Sequence, residues 1–228
     1  MVPASKKQIT WHTEVLPCRT KKALDFLSAK KWLKNSPWYL AGGTALAMQT
    51  GHRSSVDLDF FSPKKFNNNI LLKHFNVKVW QTDINAEGTI YGTLLDAKVS
   101  FIFYPFFYPA KKPLNYGFIK ILTPEDIAVM KIIAISQRGT KRDFFDLYWC
   151  SKNIAPLKTF ILKLKTQYPS VAHDYHHILT SLVYFADAET DPTPKINFKA
   201  SWRQVKNFFN IEISKITKQI IQLSDNDS

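Results

Sequence analysis

Two carboxylates carry the first hint of chemistry. In Ser55-Val56-Asp57-Leu58-Asp59-Phe60-Phe61 the acids stand two residues apart inside an apolar run. Residues i and i+2 of a strand point to the same face, so Asp57 and Asp59 would aim at one point while Val56, Leu58 and Phe60 face a core. Adjacent carboxylates among apolar neighbours repel each other and are costly to desolvate unless a cation lies between them. Mg²⁺ or Mn²⁺ suits such a pair, because these ions take oxygen ligands and usually hold a nucleotide's phosphates as well. An edge strand with a solvated acidic face is the competing reading, and Phe60-Phe61 argues against it.

Two further segments could complete such a site. In Leu40-Ala41-Gly42-Gly43-Thr44-Ala45-Leu46 a strand ends in two glycines and a helix starts at Thr44. Paired glycines let the backbone approach a ligand, and a helix N-terminus offers N–H groups to a phosphate. The Thr44 hydroxyl could add a donor. A tight strand-to-helix turn capped by Thr44 explains the same residues.

In the helical run Ile127–Ile135, Lys131 is the sole polar residue. A helix apolar all round is buried, so Lys131 either snorkels to a surface or reaches into a cleft. Next comes Lys141-Arg142-Asp143-Phe144-Phe145-Asp146-Leu147-Tyr148. Here Asp143 and Asp146 share a helical face, and Arg142 is placed to pair with Asp146 four residues on. A lysine that holds a triphosphate, with an acid to orient it or act as base, would serve phosphoryl or nucleotidyl transfer. A buried Lys131–Asp146 ion pair tying two helices together is the alternative.

The elements that must position these groups change character near residue 120. Before it, short apolar runs alternate with turn signals, which predicts strands at 38–41, 56–61, 77–80, 89–93, 99–104 and 118–122. Helices are expected between them at about 22–34, 44–50 and 65–74. After residue 120 the chain reads as helices. The first opens on Thr123-Pro124-Glu125-Asp126, an N-cap Thr with Pro at the first helical position and an acid three residues past the cap. It should run to about Gln137, with others near 141–152, 156–166, 172–185 and 200–223. Asp187 to Lys195, with Pro192 and Pro194, reads as a loop, and the tail from Ser224 as frayed. The expected architecture is α+β: a mixed sheet with flanking helices over 1–122, then a helical bundle over 123–228 that contributes Lys131 and Asp146 to the cleft.

Composition narrows the class. The 228 residues are 45% apolar, with 17 Phe, 9 Tyr and 6 Trp, which excludes disorder over most of the length. Two cysteines are too few for a disulfide scaffold or a cysteine zinc site, and they fit a reducing compartment. The greasiest stretch, Phe101 to Ala110, is broken by Pro105 and Pro109 and falls short of the ~20 residues a membrane span needs. Lys6 and Lys7 are followed by no apolar run, so no signal peptide is expected and the cytoplasm is the default address. The histidines His74, His173, His176 and His177 lack metal-ligand spacing.

Charge points toward polyanions: the net is +13, and residues 1–120 hold 17 basic against 7 acidic side chains. Concentrated around an acidic pair, that excess suggests a basic rim about a small negative centre.

Taken together, Gly42-Gly43-Thr44, His52-Arg53-Ser54-Ser55-Val56-Asp57-Leu58-Asp59-Phe60-Phe61, Lys131 and Arg142-Asp143-Phe144-Phe145-Asp146-Leu147 resemble the AbiEii/AbiGii toxin family of nucleotidyltransferases, in the polymerase-beta-like superfamily. The resemblance covers roughly residues 36–150. It implies a mixed-sheet catalytic domain followed by a helical bundle, with Asp57 and Asp59 as metal-binding carboxylates. It places Gly42, Gly43, Thr44 and Ser55 by the nucleotide, with Arg53 available to help, and makes Lys131 and Asp146 the third and fourth motifs. It also implies an NTP substrate, an RNA or tRNA end or a protein as acceptor, and a cognate antitoxin. One departure stands out. Many polymerase-like transferases carry a third carboxylate on a later strand, whereas Lys98-Val99-Ser100-Phe101-Ile102 has none. Asp96 precedes it, and Asp146 becomes the stand-in base. A degenerate protein that only binds nucleotide or nucleic acid, and a kinase-like phosphotransferase, are the alternative readings.

Overall fold

The computed structural model describes residues 10–171 and 174–226; His173 and the last two residues of the tail lie outside them. After a 3₁₀ turn at Thr13–Val15 come α1 (Cys18–Ser28), a second 3₁₀ turn (Lys31–Leu33), β1 (Tyr39–Ala41), α2 (Gly42–Thr50), β2 (Leu58–Ser62) and α3 (Asn68–Leu72). A meander of β3 (Trp80–Ala86), β4 (Thr89–Leu94) and β5 (Ala97–Phe103) follows, then the hairpin β6 (Leu114–Tyr116) and β7 (Ile119–Ile121). The helices α4 (Pro124–Arg138), α5 (Lys141–Asn153), α6 (Leu157–Gln167), α7 (Tyr175–Ser181), α8 (Ala186–Glu189) and α9 (Trp202–Asn226) complete the chain.

The strands form one seven-stranded mixed sheet in the order β3-β4-β5-β2-β1-β7-β6. Its centre holds the chemistry. β2 lies antiparallel to β1, with Ala41 opposite Asp59, and parallel to β5, with Asp59 opposite Ser100. One face packs an aromatic core in which Phe60, Trp38 and Phe75 surround Phe101 at ring separations of 5.1, 5.1 and 5.8 Å. On the other side of the sheet α4 packs against α2 and joins it to α5, α6 and α7. Thr123 caps α4 as its sequence foretells, its side chain accepting from the Asp126 N–H. Among the described residues no helix is long and apolar enough to cross a membrane.

Several expected boundaries move, each for a local reason. β2 starts at Leu58, because pairing to β5 begins only at Leu58–Val99. Val56 therefore lies ahead of the sheet and is 39% exposed rather than in the core. The strand expected at 77–80 runs instead over 80–86, an almost wholly exposed edge strand without the hydrophobic alternation that reveals half-buried strands. β6, also at an edge, is too short and polar to be read from its sequence. The expected helix 22–34 is α1 plus the separate 3₁₀ turn, and the helix expected at 65–74 shrinks to α3. The 187–195 loop begins inside α8.

Candidate active site

The turn from β1 into α2 puts two glycines where no other residue fits. Gly42 has φ +73°, in the left-handed region that favours glycine, and a Cβ there would stand 2.8 Å from Asp59 Oδ2. A Cβ on Gly43 would meet Arg53 Nη2 at 2.3 Å and Ser55 Oγ at 3.1 Å. The helix begins at Gly42 rather than Thr44, so its unpaired first N–H groups belong to the glycine pair itself. Thr44 is buried, and its hydroxyl donates to Ser55 Oγ at 2.9 Å. Of those two, Ser55 is the one that lines the cleft.

That cleft, of about 540 Å³, lies between the sheet and α4. Gly42, Gly43, Arg53, Ser55, Asp57, Asp59 and Lys131 all line it, whereas Thr44 and Asp146 do not. Asp57 sits one residue before β2 and Asp59 within it. Ser100 Oγ donates to Asp59 Oδ1 at 2.7 Å, from the β5 position directly across from it. Burial raises the Asp59 carboxyl above its ordinary range against the help of Ser100, and the neighbouring Asp57 charge raises it further. A cation between the two acids would relieve both effects. Asp96, the other acid considered, lies at φ 67° in the tight turn between β4 and β5, exposed and outside the cleft.

The donor set fits a hard divalent ion. Asp57 and Asp59 reach the cleft side by side, Asp83 lines it separately from β3, and among the described residues no group of three or more His, Cys, Asp or Glu side chains gathers as a complete protein cage. Mg²⁺ is commonly held this way, by one or two carboxylates with the remaining oxygens from water and substrate phosphates.

Behind the acids lies a buried ion network. Asp146 is fully buried, accepts three hydrogen bonds and makes one further ion pair. His52 Nε2 and Arg53 Nε donate to Oδ1 at 2.8 and 2.5 Å, while Arg53 Nη2 and Lys131 Nζ reach Oδ2 at 2.8 and 2.7 Å. Burial alone would raise this carboxyl, but Arg53 and Lys131 outweigh it and hold it well below the usual range. Both oxygens of this carboxylate are thus engaged by cations and His52, and it lies outside the cleft, so the expected stand-in base is occupied elsewhere. Lys131 Nζ also donates to Asp143 Oδ1 at 2.5 Å, and Arg138 and Thr140 close round Asp143. Lys131 thus ties α4 to α5 by two carboxylates. An ammonium has three donors, which leaves Lys131 one for the cleft.

Arg142 departs from its expected pairing. With the Asp146 oxygens already filled, its half-exposed guanidinium extends to the cleft and stands 3.8 Å from Asp57 Oδ2.

His52 is a structural group that no local sequence signal reveals, since its partner Asp146 lies 94 positions away. Its ring packs near Trp149, and burial lowers its pKa despite the Asp146 contact. The segment that follows α8 braces this region. Ser54 N–H donates to Lys195 O at 2.9 Å and Asn197 N–H to His52 O at 2.7 Å. His74, by contrast, stacks on Trp32 at 4.5 Å.

Part of the cleft lining is apolar: Met130 and Ile133 show that the apolar run of α4 is only part core, since both line the cleft together with Tyr91, Ile102 and Tyr104. A lining that joins charged groups to apolar and aromatic ones suits a nucleotide, which carries both phosphates and a base.

Known proteins resemble this chain in sequence and in fold. A curated but uncharacterized protein of Aquifex aeolicus (strain VF5) is 34% identical over 190 residues, spanning 78% of this chain and 87% of that protein. Among solved structures, the MenT4 nucleotidyltransferase toxin of Mycobacterium tuberculosis aligns with a TM-score of 0.52 at 12% identity, covering 87% of this chain and 86% of that one. The Helicobacter pylori protein JHP933 aligns at 0.51 with 19% identity, covering 93% of this chain and 100% of its own. These structural likenesses are of fold. The sequence itself matches the family described as "Nucleotidyl transferase AbiEii toxin, Type IV TA system" over residues 25–90 and 96–212. Glycine turn, paired acids and buried lysine thus belong to a chain that is a member of the AbiEii nucleotidyltransferase toxin family.

Proposed function

We propose that the protein transfers a nucleoside monophosphate from an NTP to an RNA end, such as that of a tRNA, with Asp57 and Asp59 holding Mg²⁺ or Mn²⁺. The observation that carries this is the meeting, in one cleft, of the two acids, the glycine turn and Lys131. Support for an RNA acceptor comes from the 17 basic against 7 acidic residues in 1–120, because phosphate contacts supply sequence-independent affinity. As a member of a family described as toxins of toxin–antitoxin systems, the chain would work in the cytoplasm under a cognate antitoxin.

In this reading the acceptor hydroxyl oxygen attacks the α-phosphorus and gives up its proton to solvent water, the bond from that phosphorus to the α–β bridging oxygen breaks, and pyrophosphate leaves. A bound divalent ion supplies charge neutralisation at the phosphates. Gly42 and Gly43 let the backbone N–H groups approach the phosphates, Ser55 adds a hydroxyl backed by Thr44, and Lys131 offers its remaining donor. Asp146 acts from behind by holding Lys131 and Arg53 in place. With Ser100 where a third acid would stand, positioning and charge carry the rate rather than a dedicated base, as the chemistry of phosphoryl groups permits.

The test is incubation with α-labelled NTP, Mg²⁺ and RNA. Label should enter RNA, and Asp57→Ala should lower transfer at least ~100-fold, in keeping with loss of a group that stabilises the transition state directly. Equal labelling by Asp57→Ala overturns the mechanism. Label on protein instead would move the acceptor, γ-label without α-label would indicate a phosphotransferase, and binding without transfer to any pool would indicate a nucleotide-binding protein.

A further inference from the structure

The cleft's cations are not equivalent. Arg53 spends both arms of its guanidinium on Asp146, Lys131 is divided between Asp143 and Asp146, and Arg138 forks onto Asp143. Their charges are largely cancelled by buried acids, and each that swings away takes one counter-charge from a buried carboxylate. Arg142 is different. Among the described residues it is ion-paired to no fully buried acid: the carboxylate it approaches is Asp57, at 3.8 Å and itself 34% exposed, and its own side chain is 50% exposed. That separation is too long for a hydrogen bond and short enough for attraction. Lys98 also lines the cleft, from the sheet side, but no acid of the candidate metal pair holds it in place.

From this we infer that Arg142 is the exchangeable cation of the cleft. Without ligand it balances Asp57; when a divalent ion takes Asp57, the guanidinium is released and turns its planar fork to the phosphates of the NTP. The inference rests on the nucleotide reading above. Three features carry it. Arg142 is the second residue of α5, three residues beyond Gly139 at φ 55°, which caps the end of α4. Its backbone is therefore fixed by the packing of α5 while its side chain is free. The guanidinium matches phosphate geometry with two parallel N–H donors, which an ammonium cannot do. Finally, a +1 group and a divalent ion both draw on the charge of Asp57, so the binding of one weakens the hold of the other.

This exchange makes the two affinities move in opposite directions, which a merely structural role would not. In Arg142→Ala, which empties no buried position, Mn²⁺ alone should bind a few-fold more tightly, because a partly exposed ion pair no longer competes for Asp57. Binding of Mg²⁺–NTP, read by calorimetry with a non-hydrolysable NTP, should weaken about tenfold or more, the worth of a charge-assisted hydrogen bond to phosphate. In turnover KM should rise more than kcat falls, and Arg142→Lys should restore only part. Unchanged NTP affinity in Arg142→Ala, or a fall in Mn²⁺ and NTP affinity together, overturns the exchange while wild-type binding keeps the nucleotide reading intact. A wild-type protein that binds no NTP overturns both.

Discussion

Replacing Asp146 by Asn tests whether this acid holds the site together or does the chemistry. The amide keeps the shape and removes the charge. Lys131 retains Asp143 at 2.5 Å, but Arg53, with a side chain only 5% exposed, is left facing a neutral group. Removing one partner of a buried pair costs about 3–5 kcal/mol, mostly because the other charge stays buried and uncompensated. Domains are stable by roughly 5–15 kcal/mol, and for this length each kcal/mol moves the melting point by about 2–4 °C. Asp146→Asn should therefore lower Tm by roughly 6–20 °C and lose transfer activity in step. Differential scanning calorimetry reads the first and the labelled-NTP assay the second. A second substitution, Arg53→Gln, removes the orphaned charge. The double variant should regain part of the lost stability, a coupling of about 0.5–3 kcal/mol in a thermodynamic cycle. If Asp146→Asn melts with the wild type yet loses all transfer, the carboxylate acts directly on substrate and the reasoning fails.

Two other outcomes follow from the same geometry. In the folded protein Asp143, pulled toward Lys131 and Arg138 against the opposing effect of burial, has a pKa lowered from 3.8 to about 2; its contribution of about 2 kcal/mol is therefore complete above pH ~4 and lost as pH falls toward 2. Urea midpoints measured between pH 5 and pH 2 should show this acid limb, and Asp143→Asn should flatten it while lowering stability at neutral pH. Gly43→Ala would drive a Cβ to 2.3 Å from Arg53 Nη2, which the Asp146 fork holds in place, so a loss of about 1–3 kcal/mol is expected together with weakened NTP binding. Wild-type stability for Gly43→Ala by chemical denaturation would show that Arg53 is not pinned.

What could be read along the chain was what depends on near neighbours. The Gly42-Gly43 turn, the Thr123-Pro124 helix start and the shift from strands to helices near residue 120 follow from backbone allowance, capping and periodicity, all of which act within a few residues. The Asp57-x-Asp59 spacing placed both acids in one cleft for the same reason, although the strand begins one residue after Asp57. Exposed edge strands escaped notice because β3 and β6 bury too little to leave a pattern.

The partners of the charged groups were decided only by the tertiary fold. At four-residue spacing Arg142 could reach Asp146, yet Arg53 and His52, over ninety positions away in sequence, fill that carboxylate first. Lys131 was readable as buried, but its division between Asp143 and Asp146 required α4 to pack on α5. Sequence fixes which charges exist and which face of an element they share. Burial then selects among the possible pairings, because a desolvated charge must be satisfied by whatever packing brings within 3 Å, however distant along the chain.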